Sequence, residues 1–235
     1  MPAAKFKAAI SVIDWQKNVD ALLADKASAE TLEAANLKLA IWSRQLEGAD
    51  ANNPALCFVR EMQIAGQHVA VLIALALYKP AAGSIRSVLE TALYYSYFRT
   101  HFSELETLAR GTGYYLEKRQ VIDFHKEHSL LFVERQQKLG LLSRLEGWYG
   151  RVSSLVHGHI PGVWIEHKSV SEIAPIKITQ DLAIKLFAEG VDIVHRLFLC
   201  TVAQTLWDSF SSESKKQLLS GLQGDEKKIL KLDIA

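Results

Sequence analysis

The run Tyr149-Gly150-Arg151-Val152-Ser153-Ser154-Leu155-Val156-His157-Gly158-His159 gathers more reactive side chains than any other stretch of the chain. Arg151 carries a permanent charge and can hold a phosphate with two parallel donors, His157 can exchange a proton near neutral pH, and Ser154 can donate to either. Groups of this kind suit phosphodiester cleavage in RNA. A base takes the ribose 2′-hydroxyl proton, that oxygen attacks the adjacent phosphorus, and a cation stabilises the developing charge. In such a site Arg151 stabilises the phosphate and His157 is the general base or acid, with no metal or other cofactor required. The structural alternative has His157 closing the helix or bonding within the core while Arg151 makes a surface ion pair.

Other residues bear on the same chemistry. Arg86 and Glu90 stand four apart on one helical face with Tyr94 beyond them. That spacing lets Glu90 orient the Arg151/His157 pair and Arg86 bind phosphate, or else makes a structural ion pair between helices. His159 and Trp164, with His167 beyond, could stack on unpaired bases as a substrate-binding loop, although Trp164 could equally pin that loop to the core. His125-Lys126-Glu127-His128 fits neither zincin spacing, because only two residues separate its histidines, and is read as a solvated helix face. A metal-dependent hydrolase built on His125, His128 or the His157/His159 pair stands as a third reading. No glycine-rich phosphate loop, dinucleotide fingerprint, nucleophile elbow or thiolate cluster is present.

The elements that must position these groups read as helices throughout. Helical patterns run from about Asp14 to Asp25, from Ser28 to Leu46, from Pro54 to before Pro80, and from Pro80 to about His101. The last two are the central pair, antiparallel through a short connection. A helix capped by Ser103 breaks at Gly111-Thr112-Gly113, and the period resumes from Tyr114 to about Gly140. Ser143 and Glu146 form a capping-box pattern opening the helix that carries Arg151 and His157, with Gly158 after its end. His159 to Thr179 is expected to be a long loop with strand-like Ile176 to Ile178, and Thr179 caps a helix reaching Phe210. The fold class is therefore all-α: an antiparallel bundle of seven to nine helices with one long loop after the Arg151–His157 helix. It is read as one domain, with N-terminal helices over 1–53, a core over 54–210 and a basic tail over 211–235. On an ideal helix six steps of roughly 100° leave Arg151 and His157 about 120° apart, whereas Ser153 and Ser154 share the His157 face.

The order Arg151, five residues, His157 resembles the Arg, four to six residues, His signature of the HEPN superfamily of helical-bundle ribonucleases and nucleotide-binding proteins. Ser84-Ile85-Arg86-Ser87-Val88-Leu89-Glu90 followed by Ser153-Ser154-Leu155-Val156-His157-Gly158 resembles bacterial HEPN-like proteins linked to abortive infection, over roughly Pro54 to Phe210. The resemblance implies a metal-independent endoribonuclease or RNA-binding effector in anti-phage or toxin-type defence, with an antitoxin or other defence partner. It also implies a homodimer that brings two motifs into one cleft. The alternative is a non-catalytic, dimerising module that binds a protein partner or a nucleotide.

Bulk composition constrains the partners. Lys and Arg total 27 against 26 Asp and Glu, so the net charge of +1 supplies no global field toward RNA or an anionic membrane, and contact with RNA must come from a local patch. Lys215, Lys216, Lys227, Lys228 and Lys231 offer such a patch in the tail, or a solvated face. The longest apolar run, Val69 to Tyr78, is too short to span a bilayer, and Met1 to Asp14 lacks the apolar length of an export signal. A cytoplasmic protein without membrane contact is expected. Cys57 and Cys200 lie in apolar patterns with no paired spacing and are expected to be buried free thiols.

Overall fold

A computed structural model describes residues 2–111, 113–158 and 167–232. All regular structure among them is helical: α1 (Pro2–Ser11), α2 (Trp15–Ala24), α3 (Lys26–Ala49), α4 (Leu56–Ala74), α5 (Tyr78–Phe98), α6 (Phe102–Ala109), α7 (Lys118–His128), α8 (Phe132–Lys138), α9 (Leu141–Val156), α10 (Lys177–Cys200), α11 (Ala203–Leu206), α12 (Ser212–Leu219) and α13 (Gly224–Leu230), with 3₁₀ turns at Val170–Glu172 and Trp207–Ser209. This is more helices than the seven to nine expected. The apolar period over 114–140 does not make one helix, because the backbone breaks between α7 and α8 where Leu131 takes a left-handed φ of 56°. Similarly, the pattern running to Phe210 ends at Cys200 and restarts as a short helix and a 3₁₀ turn. Periodicity sees apolar residues at helical spacing and is blind to a short backbone break, around which Leu130 and Val133 are 81% and 39% exposed.

Helix starts were set by aspartates more than by the serines and threonine expected. The Asp14 carboxylate accepts from Lys17 N at 2.9 Å, and Asp25 accepts from Ser28 N at 3.2 Å, so α3 starts ahead of Ser28. The Ser143/Glu146 capping box does not form. Helix α9 begins at Leu141 behind Gly140 with φ 59°, Ser143 donates to the Gly140 carbonyl, and Glu146 pairs with Lys118. No strand occurs among the described residues, and the β-branched Ile176–Ile178 stretch opens α10 instead. Of the loop expected after α9, 159–166 lies outside the described residues, and 170–172 is a 3₁₀ turn.

Helices α4 and α5 pack along one another after a three-residue connection, and α10 packs against α3, α5 and α9. One apolar cluster reaches from Leu22 to Leu232. Helix α9 meets both α5 and α10 and so presents two different faces to two neighbours. Its contact with α10 is close because Gly190 has no side chain: a Cβ there would lie 2.5 Å from Trp148 Cζ2. The Trp148 indole then donates to the Leu186 carbonyl at 2.7 Å.

Residues 211–232 pack on the bundle. Leu218, Leu219, Leu222, Leu230 and Leu232 join the core, and Lys215 is only 4% exposed. Cys200 is buried as expected, whereas Cys57 is exposed. Among the described residues no helix is long and apolar enough to cross a membrane.

Candidate functional site

The face of α5 that carries Arg86 and Glu90 lies against the face of α9 that carries Tyr149 and His157. Four side chains close into one network. Arg86 Nε donates to Glu90 Oε1 at 2.7 Å, its second guanidinium nitrogen meets His157 Nε2 at 2.7 Å, and its third donates to Tyr149 Oη at 2.8 Å. Tyr149 Oη in turn donates to Glu90 Oε1 at 2.8 Å. A guanidinium has only donors, so His157 Nε2 must be the acceptor in that contact and carries a lone pair rather than a proton.

Burial pulls the Arg86 guanidinium down, but the Glu90 bond and charge outweigh it and the net shift is upward. The Tyr149 phenol is pushed up by burial and then by Glu90. Arg86 therefore stays a cation and Tyr149 a neutral hydroxyl across the physiological range. Further positive charge stands nearby. Lys118 Nζ sits 4.7 Å from the Tyr149 ring centroid while pairing with Glu146 at 2.5 Å. A Cβ on Gly158 would lie 3.8 Å from Lys79 Nζ, which sets that ammonium at the carbonyl end of α9. A cleft of about 400 Å³ opens beside the network, lined by Arg86, Glu90, Tyr94, Tyr115, Lys118 and Tyr149 among others.

Arg151 is elsewhere. It extends to the other side of α9 and pairs with Glu189 of α10 at 2.5 Å, its side chain 58% exposed. The pairing of Arg151 with His157 is thus not made within one chain, for the reason helical geometry gives: about 120° separates them, so one meets α5 and the other α10. Ser154 also stays out of the network and donates to the Gly150 carbonyl of its own helix at 2.8 Å. Ser153 Oγ is buried with no hydrogen-bond partner among the described residues. His159 and Trp164, proposed to contact substrate, lie outside the described residues.

The residue that sequence reasoning left without a role is Tyr149. The signal was available, since Tyr149, Ser153 and His157 are spaced by four and four and form a stripe on one helical face. Lys118 had no such signal, because it arrives from α7, a separate element.

No three His, Cys, Asp or Glu side chains among the described residues converge to hold a metal. His125, expected on a solvated face, is buried at 3% exposure, while His128 is exposed. Ser96 Oγ gives its own proton to the Leu93 carbonyl, so it accepts from His125 Nε2 at 3.0 Å, and His125 Nδ1 accepts from Ser129 Oγ at 2.8 Å. Burial, and then the nearby His101, push this imidazole down to about 4.

Comparison with protein-family models, with curated proteins and with solved structures gives no match for this chain.

Proposed function

We propose that this chain is a HEPN-like helical-bundle protein that acts on RNA as a metal-independent endoribonuclease, with Arg86 rather than Arg151 as the phosphate-handling cation. The observation that carries the reading is the 2.7 Å contact between Arg86 and His157 Nε2, which sets a cation and an unprotonated imidazole nitrogen side by side. An RNA phosphate and its neighbouring 2′-hydroxyl can replace that contact with two others. The phosphate oxygen takes the guanidinium donor, and the hydroxyl donates to Nε2. His157 then accepts the proton, the 2′-oxygen attacks phosphorus, and the 5′-oxygen leaves with a proton from solvent, giving a 2′,3′-cyclic phosphate and a 5′-hydroxyl end. Glu90 and Tyr149 hold the guanidinium in place, and the aromatic lining of the adjacent cleft offers stacking surfaces for bases.

The test is incubation of purified protein with total RNA in chelator, comparing the parent with Arg86→Ala and His157→Ala. Cleavage by the parent alone, with unchanged helical circular dichroism in both variants, is the expected result. Cleavage that persists in both variants removes the site. Arg151→Ala adds a further decision: loss of cleavage there calls for a second copy of the chain presenting Arg151 to the site in a homodimer, and retained cleavage leaves Arg86 as the working cation. The anti-phage or toxin setting, with its neutralising partner, follows from the resemblance and predicts growth arrest on expression that the same variants relieve.

A second reading is favoured by a specific observation: all three guanidinium nitrogens of Arg86 already have partners within the chain. A non-catalytic dimerising module would keep that network closed. It predicts no cleavage by the parent under any condition.

A further inference from the structure

A second cavity, of about 420 Å³, lies between the C-terminal end of α5, α7, α8 and the junction of α10 with α11. Its lining includes Arg99, Arg135, His125 and His128 and contains no aspartate or glutamate. Arg135 is the unusual member. It is 4% exposed, and its recorded bonds are to two backbone carbonyls, Leu130 O at 2.7 Å and Ile229 O at 3.4 Å. None of the ion pairs among the described residues includes it. The other well-covered arginines behave differently: Arg99 pairs with Asp50 at 3.3 Å, and Arg196 pairs with Asp192 at 3.0 Å and Glu226 at 2.7 Å. A buried guanidinium without a counter-ion is costly, and native proteins keep such a charge only where something compensates it.

Burial pulls the Arg135 guanidinium down, and the offsets from Cys200 and from Glu134, with which it makes no ion pair, leave the net shift downward. Cys200 lines the same cavity, but burial pushes its thiol up to about 12, so it is a neutral thiol rather than a thiolate. His125 is a neutral hydrogen-bonded ring, as its two serine partners require. The Arg99 charge is met by Asp50 on its far side. Phe124, Leu130 and Val202 give the walls apolar surface, and Thr100, Thr201 and Thr205 are among the uncharged polar residues that line the rest.

We infer that this cavity is a binding site for a small organic oxyanion, a carboxylate or phosphate monoester with a compact apolar body, whose charged head pairs with Arg135. The volume suits a ligand of that size, and small-molecule sites combine apolar surface with polar groups that fix the orientation of the ligand. The head lies toward the planar fork of Arg135, which matches either oxyanion with paired donors. The body lies against Phe124, Leu130 and Val202. The site is separate from the Arg86–His157 network and stands or falls independently of any activity on RNA.

The test is calorimetric titration of the full chain with benzoate, phenyl phosphate and inorganic phosphate, each paired with a thermal melt. The two aromatic probes separate the carboxylate from the phosphate source, and inorganic phosphate reports the head without the body. Two variants locate the site. Arg135→Met removes the charge and keeps the bulk, and Leu130→Glu places a carboxylate at the cavity wall on a residue that is 81% exposed, so the fold is not at stake. The expected result is that at least one aromatic probe binds the parent and raises its Tm. Affinity then falls about tenfold or more in each variant, as loss of one charged hydrogen bond requires. Arg135→Met alone should melt at or above the ligand-free parent, because it removes an uncompensated buried charge. Absence of binding to the parent, or binding that survives Leu130→Glu, overturns the inference. Absence of binding together with a lower Tm in Arg135→Met makes Arg135 a clamp between α8 and α13 instead.

Discussion

At Arg86, three nitrogens of one guanidinium meet a carboxylate, an imidazole and a phenol, and the functional reading depends on how firmly that geometry is held. Tyr149 is the member whose removal perturbs least and reports most. Tyr149→Phe deletes the hydroxyl that links Arg86 to Glu90 while keeping the ring under Lys118. It should lower kcat/KM for RNA cleavage about tenfold, the kinetic equivalent of a net hydrogen bond, with Tm lowered by only about 2–4 °C. A different residue governs the response to acid. His125 is neutral in the fold with its pKa lowered to about 4, whereas in the unfolded chain it titrates near 6.5. Between those values the unfolded chain takes up a proton that the folded one refuses, so stability falls as pH drops from about 6.5 and stops falling from this cause near 4. The loss is worth about 3 kcal/mol for His125 alone. His195 adds a limb of the same sign, since burial holds it down to about 3 and the Trp42 indole donates to its Nδ1 at 3.0 Å. Urea unfolding of His125→Gln at successive pH values should give a shallower slope across this window than the parent, whatever its absolute stability.

At the scale of elements, α9 controls the site because it is wedged between α5 and α10. The wedge depends on Gly190, whose missing side chain admits the Trp148 ring. Gly190→Ala forces a Cβ to within 2.5 Å of an indole that is 1% exposed and cannot swing away. We expect a loss of about 2 kcal/mol, roughly 4–8 °C in Tm, from overpacking alone. Gly147→Ala, on the open side of the same helix with nothing within 4 Å, should instead be neutral or raise Tm slightly. A thermal melt of the pair checks the claim. Much at this scale was legible beforehand. The 3.6-residue period located the α4–α5 pair, the helix carrying His157 and the long C-terminal helix, and the four-residue spacing set Arg86 and Glu90 on one face. The breaks at Leu131 and Thr201 were not legible, because neither residue is a recognised helix breaker and apolar residues at helical spacing continue across both. The caps at Asp14 and Asp25 were open to reading, but Ser28 competed with Asp25 for the start of α3.

At the scale of the whole molecule, the balance of 27 basic against 26 acidic residues bears on how RNA would be held. With no broad positive field, binding should rest on the few cations around the α5–α9 seam, Lys79, Arg86 and Lys118. About three phosphate contacts on a single strand give a slope of log K against log salt of about −2, measurable by fluorescence anisotropy with a short RNA. A slope of −5 or steeper would mean a distributed basic surface and would remove the seam as the main contact. The amino-acid order alone settled that the chain is helical, that Arg86 and Glu90 share one helical face, and that Arg151 and His157 diverge around their shared helix, because each of these follows from the pitch of a single local element. Which cation His157 meets was decided only when α9 packed against α5, placing residues 71 positions apart within hydrogen-bond reach. That choice arises from side-chain volumes across the whole core, down to one glycine in α10, and no periodicity within a segment encodes it.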